Sequence, residues 1–407
     1  MPHSTAIANE REHLLGVYAQ LGFSPVAGEG PYLIDATGRR VLDLYGGHAV
    51  AALGYDHPEL GKALCDQWRQ LPFQSNVVAL EVRARAAQAL VKFAPKPLTH
   101  AFFVNSGAAA TEPALSLAFL ATGRRHIVAV AHGCPGRSAA AAAACRAAFE
   151  MTIWCAAAAV TWGSSKRWYG FPAKPVDVTF VPRDDVDAAL ASCHEQTAAV
   201  IVEPIQGVAG AYDLSIDFLQ ALAESAKRAG AMLIADEVQS GMGRSGTPMA
   251  FEHAQLRPNI VTLAKSLGGG FPCGALLTTS GIADYCQTGD LGTTFGGGPM
   301  SCAAMSSVIQ AIENEGLVAN AAARETQVRE QCITGPVTGV QGRGMLLGLK
   351  TQPPARVVRD ALLDQDILTG TSADPNVLRL LPPLNTTEAA IEQLAAALQG
   401  IGSEISV

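Results

Sequence analysis

The sequence predicts an α/β protein, with a mainly parallel sheet covered on both faces and a smaller α+β domain beside it. Three observations predict this. Short runs that are apolar throughout, "HIVAVA", "AAVIVEP", "AMLIADE" and "NIVTLAK", alternate with amphipathic stretches such as "SIDFLQALAESAKRAG". Strands without a polar face belong to sheets buried on both sides, and their alternation with helices marks parallel crossovers. Several of these runs end in polar residues, namely Asn105-Ser106-Gly107, Glu203, Asp236-Glu237 and Lys265. The C-terminal part then reads as strand, helix, strand and helix over "GVQGRGMLLGLKT", "ARVVRDALLDQ", "NVLRLLPPLN" and "TEAAIEQLAAALQGI".

Taken in order, residues 17–45 read as short strands and turns. "GPYLIDATGRRVLDL" alternates apolar and polar residues and turns at Thr37-Gly38, as a hairpin does. "HPELGKALCDQWRQL" and "LEVRARAAQALVKFA" have helical spacing. "AFFVNSG" is a short strand running into a glycine turn. "ATEPALSLAFLATG" continues as a helix, with Thr111, Glu112 and Pro113 expected in its first turn, where proline is tolerated. "CGALLTT" adds another strand. The alanine-rich stretch from Ser138 to about Val160 favours helix. A chain of 407 residues is too long for one small core. The expected division is an N-terminal segment at 1–48 packing with the small domain and a large domain at 49–300 carrying the alanine-rich insertion at about 138–160. A connecting helix and the small domain then occupy 301–407.

Composition narrows the function. Hydrophobic residues make up 49% of the chain and charged residues 16%, the balance of a packed globular protein. A net charge of −7 disfavours nucleic acid as a partner. There is no run of apolar residues long enough to suggest a membrane span, and "MPHSTAIANEREHLL" lacks a signal-peptide pattern. Nine cysteines without a C-x-x-C argue against a disulfide framework or a zinc ribbon, so no metal site is expected and a reduced, cytoplasmic setting is. "GVQGRGMLLG" has the wrong glycine spacing for a dinucleotide fingerprint, which excludes a nicotinamide-dependent dehydrogenase.

Ligands of open parallel sheets bind beyond the carboxyl ends of the strands, where the polar residues above cluster. "NSGA" opening a helix offers backbone N–H groups to an anion such as a phosphate. An aspartate at a buried strand end stays ionised only if a cation faces it, and a protonated heterocyclic nitrogen would serve. A lysine held in a dry pocket is more readily neutral and nucleophilic. Phosphate seat, carboxylate and Schiff-base lysine are the three parts that pyridoxal phosphate requires.

"LIADEVQSGMGRSG", "PNIVTLAKSLGGGFPCGALL" and "GDLGTTFGGGP" are the segments concerned. With "GEGPYLIDATGRRVLDLYGG", "ALGYDHPEL" and "LRLLPPLN", they resemble the class-III, fold-type-I pyridoxal-phosphate aminotransferases over nearly the whole chain. The resemblance implies a large domain with a seven-stranded-type sheet, and roles for particular residues. Lys265 would hold the cofactor covalently and later carry the substrate proton. Asp236 would keep the pyridine nitrogen protonated, Val238 would pack on the ring and Gln239 would bond the ring oxygen. Ser106, Gly107 and Ala108 would seat the phosphate. Thr294 would reach the phosphate of a neighbouring subunit, which implies a homodimer. Arg379 would clamp the substrate α-carboxylate, Arg137 a distal carboxylate, and Glu203 would shield an arginine when the other substrate binds.

Within the family the pattern is most similar to the group acting on N2-acetylornithine and 2-oxoglutarate. Succinylornithine, ornithine, 4-aminobutyrate or a lysine-pathway amine are the alternative donors, and a catalytically weakened protein of the same fold is the alternative of another class. The sequence departs from the family at Cys134, where an aromatic residue normally stacks on the cofactor, and at Ala109, normally an acid. It departs again at Gln74-Ser75-Asn76 and at Gly298.

Overall fold

A computed structural model describes residues 3–133 and 176–402. The alanine-rich segment from Ser138 to Val160, Cys134 and Arg137 lie outside these residues.

A helix at His3–His13, which the sequence reading did not mark, precedes three antiparallel strands: β1 (Pro25–Glu29), β2 (Tyr32–Asp35) and β3 (Arg40–Asp43). The hairpin turns where expected, because Asp35 Oδ1 accepts from the Thr37 and Arg39 amides at 2.8 and 3.1 Å.

The strands that follow are β4 (His100–Val104), β5 (His126–Val130), β6 (Val178–Val181) and β7 (Thr197–Val202). A two-stranded ribbon, β8 (Ile205–Gln206) and β9 (Tyr212–Asp213), lies just past β7. After it come β10 (Met232–Asp236), β11 (Ile260–Leu263) and β12 (Gly274–Thr278). Seven of these strands form one sheet in the order β4-β12-β11-β10-β7-β5-β6, and β12 alone runs against the others.

Burial on both faces explains the uninterrupted apolar runs. Val128, Val130, Val200, Val202, Leu233 and Val261 enter one core, while Ile127, Ala129, Ile201, Ile234 and Ile260 enter the other. The helix Gly107–Thr122 lays Leu115, Leu117 and Phe119 over the second face. Pro113 stands beyond its first turn, which corrects the sequence expectation. The helix continues through it, although proline has no N–H to give the Ala109 carbonyl.

The helices Pro299–Asn314 and Leu317–Gln331 lead to the C-terminal strands β13 (Val337–Arg343), β14 (Leu346–Thr351), β15 (Ile367–Leu368), β16 (Gly370–Thr371) and β17 (Val377–Leu380). "GVQGRGMLLGLKT", expected as a single strand, is a hairpin of β13 and β14. It turns at Gly344, whose φ of +58° and tight contact with the Arg244 carbonyl suit glycine. β13, β14, β17 and β16 form one sheet, while β15 pairs in parallel with β3. Leu42 and Leu44 therefore share a core with Leu347, Leu349, Leu378 and Leu380. The N-terminal meander packs on the C-terminal unit.

Candidate active site

The carboxyl ends of β10 and β11 bring Asp236 and Lys265 into each other's electrostatic reach. Asp236 is 3% exposed, and its Oδ1 accepts from the Val238 amide at 3.0 Å and the Thr262 hydroxyl at 3.1 Å. Burial pushes its carboxyl above the ordinary range, and the Val238 amide, the Lys265 charge and the Thr262 hydroxyl pull it back. The next residue points the other way. Glu237 accepts from the Ser240 hydroxyl at 2.7 Å and the Phe251 amide at 2.8 Å, so it braces the loop after β10. Burial raises its carboxyl to about 7. One acid of the pair faces the site and the other holds the loop, as alternation along an extended chain dictates.

Lys265 starts a short 3-10 turn with φ +45°. A lysine in the left-handed region is strained, and such strain persists only where the surroundings impose it. Its neighbour Ser266 donates to the Ala49 carbonyl at 2.8 Å. Gly46, Gly47, His48 and Ala49 all have positive φ, between 56° and 67°, so the chain makes a left-handed turn here. Asp43 Oδ1 holds the entry to this turn through the Tyr45 and Gly46 amides at 2.8 and 2.9 Å.

Ser106 caps the helix Gly107–Thr122 through its hydroxyl, which accepts from the Ala109 amide at 3.1 Å. Gly107 packs on Val238, where a Cβ would lie 2.6 Å from Val238 Cγ1. Ser106, Gly107, Ala108, Val238, Val50 and Lys265 line one cavity of about 330 Å³. Asp236 closes a smaller one with Gly133, Glu203 and Gln206. Gln239 Nε2 donates to the His48 carbonyl at 3.1 Å, while its Oε1 is buried without a hydrogen-bond partner among the described residues. A buried unpaired acceptor is costly and asks for a donor.

Arg379, on β17, is 5% exposed. Its Nε donates to the Thr371 carbonyl at 2.7 Å, Nη1 to the Gly207 carbonyl at 3.2 Å and Nη2 to the Tyr45 hydroxyl at 3.0 Å. The Tyr45 hydroxyl also lies 2.6 Å from His48 Nδ1. Tyr45, His48, Thr262 and Gln206 belong to this neighbourhood and were not picked out from sequence; only a three-dimensional view joins them. Thr294 is exposed, next to Phe295, which is 63% exposed.

Residues 18–401 match the family model for class-III aminotransferases. The acetylornithine aminotransferase of Streptomyces coelicolor is 39% identical over 381 residues, spanning 92% of this chain and 90% of that one. The [LysW]-aminoadipate semialdehyde transaminase of Deinococcus radiodurans is 33% identical over 98% of this chain and 90% of its own. The crystal structure of the acetylornithine aminotransferase of Elizabethkingia anophelis superposes with a TM-score of 0.80 at 25% identity, covering 98% of this chain and 99% of that one. The chain belongs to the class-III aminotransferases and is a pyridoxal-phosphate-dependent enzyme of that family. The residues present fit the cofactor. Asp236 is a buried carboxylate with a lysine charge in reach, Gln239 Oε1 meets no donor among the described residues, and a helix N-terminus opens on the lysine's cavity.

Proposed function

We propose that this aminotransferase moves the terminal amino group of N2-acetylornithine to 2-oxoglutarate, yielding N-acetylglutamate semialdehyde and glutamate. The observation that carries the substrate assignment is the 39% identity over nearly the whole chain with an acetylornithine aminotransferase. A lysine-pathway donor is the second reading, favoured by the relative named a [LysW]-aminoadipate semialdehyde transaminase.

Within this reading the chain's own residues divide the work. Asp236 would stabilise a positive charge on the cofactor ring, and Gln239 would hydrogen-bond the ring oxygen. Val238 would pack against the ring, and Cys134 occupies the sequence position at which the family has an aromatic residue. Ser106, Gly107 and Ala108 receive the phosphate, joined by Thr294 from a partner subunit. When bound, pyridoxal phosphate supplies a ring that draws electrons from the amine-bearing carbon. Lys265 Nζ holds and moves the proton released there. Arg379 binds the α-carboxylate, Arg137 a distal carboxylate, and Glu203 answers an arginine's charge between half-reactions. The division into segments 1–48, 49–300 and 301–407, a homodimer and a cytoplasmic setting complete the proposal. Two cores, one on the large sheet that also takes in the helix Pro299–Asn314 and one in the C-terminal unit, support two packing units. Among the described residues no helix is long and apolar enough to cross a membrane.

The test is an absorbance titration of the purified holoenzyme with N2-acetylornithine. Loss of the visible band, with product formed on adding 2-oxoglutarate, is expected. A band that persists with this donor but bleaches with another ω-amine would reassign the substrate. Lys265→Ala should remove turnover and the visible band while the far-ultraviolet circular dichroism stays unchanged.

A further inference from the structure

Arg244 lies in the glycine-rich loop after β10 and is fully buried, yet no acid pairs with it among the described residues. Burial pulls its guanidinium down to about 9, so it is still a cation at neutral pH. A buried charge without a counter-ion is costly, and a neutral side chain could fill the same space without that cost. Its Nε adds to the cost, for it has no hydrogen-bond partner among the described residues.

The other two nitrogens show what the cation holds. Nη1 donates to the carbonyls of Met345 and Pro382, the first at 3.2 Å. The Arg244 carbonyl in turn accepts from the Met345 amide at 2.7 Å. Met345 belongs to the turn between β13 and β14, and Pro382 follows β17, the strand that carries Arg379. Arg244 therefore grips the C-terminal unit at two places. Nη2 donates to the Ser266 hydroxyl at 3.4 Å, a long bond.

Ser266 is buried and follows Lys265 directly. Its hydroxyl gives its own proton to the Ala49 carbonyl, so only its lone pairs can meet Arg244. One chain of donors thus runs from Arg244 through Ser266 to the left-handed turn at 46–49, whose His48 carbonyl accepts from Gln239. Lys265 has φ +45°, a conformation that lysine does not favour and that outside contacts must impose. The doubly held hydroxyl of its neighbour is such a contact. We propose that Arg244 is a positioning residue: through the Ser266 hydroxyl it holds Lys265 in its left-handed backbone, and so couples the aim of the amine to the seating of the C-terminal unit. This rests on the reading of Lys265 as the residue that holds the cofactor.

The experiment times cofactor capture by the full-length apoprotein. Pyridoxal phosphate is added, and stopped-flow absorbance follows the visible band as Lys265 Nζ adds to the aldehyde carbon and water leaves. Urea unfolding of the same apoproteins reads stability separately. Ser266→Ala removes the link, and Arg244→Lys keeps a cation but shortens its reach. Each should slow capture about tenfold or more, because a small misplacement of a reacting atom has an effect of that size. The double variant should be no slower than either single one, since both break the same link. Stability should fall further in Arg244→Lys, which also loses its grip on the C-terminal carbonyls. Wild-type capture in either variant, slowing that multiplies in the double variant, or capture rates that merely follow stability would overturn the proposal. If Arg244→Lys does not fold, Ser266→Ala still decides, because unchanged capture there removes the link. A visible band that survives in Lys265→Ala would instead sink the reading of Lys265. Loss of that band, with wild-type capture in the other two variants, would sink this proposal alone.

Discussion

One methyl group on Gly207 would decide whether Gln239 can keep its place. A Cβ there would lie 1.7 Å from Gln239 Oε1, which no rotamer adjustment of a few tenths of an ångström absorbs. Gly207→Ala should therefore displace the side chain read here as the partner of the cofactor's ring oxygen. The clash falls on a flexible side chain that can swing away, so the apoprotein should lose little stability. Pyridoxal phosphate should bind about tenfold more weakly through the lost hydrogen bond. Equilibrium dialysis with apoprotein checks the second effect, and wild-type affinity would remove Gln239 from the cofactor's partners. Glu237 allows a test by pH. Its carboxyl stands at about 7 against an ordinary 4.5, so the folded state holds the proton more tightly than the unfolded chain does. The carboxyl favours the fold fully below the ordinary value, and that contribution is lost as pH rises toward 7. Glu237→Gln removes this dependence, and the amide can still accept from Phe251 and donate to Ser240. Urea unfolding at about pH 5 and about pH 8 should show the variant gaining on the wild type by on the order of 3 kcal/mol across that interval. The same difference at both pH values would mean that the carboxylate is solvated after all.

Among the elements, the strands of the large sheet were legible because burial on two faces leaves no polar positions to confuse the pattern. "AAVIV" in β7 and "MLIAD" in β10 are cases in point. The polar strand ends were legible too, since Asp236 and Lys265 interrupt apolar runs. The hairpin of β13 and β14 was missed because "GRGM" carries its turn in one glycine within an otherwise strand-like run. The left-handed turn at 46–49 was missed for a different reason. Two glycines announce it, but His48 and Ala49 take the same conformation against their own preference, imposed by contacts far away in sequence. The helix Gly107–Thr122 offers a test of local preference against tertiary context, since Pro113 sits inside it. Pro113→Ala restores a donor for the Ala109 carbonyl, and proline is worth about 3 kcal/mol less than alanine in a helix interior. The smaller side chain at a buried site recovers less than that, so a net gain of about 1–2 kcal/mol is expected. Thermal unfolding checks it, and a lower melting temperature would show that this helix is shaped around the proline.

At the scale of the whole molecule, four exposed apolar residues, Phe73, Val77, Val78 and Phe295, lie on two joined loops. Phe73 and Phe295 are 43% and 63% exposed, and their rings stand 5.5 Å apart. Val77 and Val78 lie on the same loop as Phe73, with Val77 91% exposed. Arg83 ties this loop to the glycine segment after Phe295 by donating to the carbonyls of Ser75, Val78 and Gly297. Asn76 does the same through the Gly296 carbonyl. An exposed aromatic pair, on two loops tied together by half-buried and exposed polar contacts, is a surface that a partner could cover. Thr294 stands at its edge, exposed and outside the residues that line its own chain's lysine cavity. If the patch covers a second copy, Thr294 belongs to the partner's phosphate site, and subunit mixing can prove it. Lys265→Ala should be inactive, and Thr294→Ala should bind cofactor about tenfold more weakly and lose activity at limiting cofactor. A mixed dimer of the two has one site with both defects and one with neither. Refolding the variants together should therefore recover activity from that intact site at a cofactor concentration where each variant alone is nearly silent. If Thr294 served its own chain, every site in the mixed dimer would carry one defect and no recovery would occur.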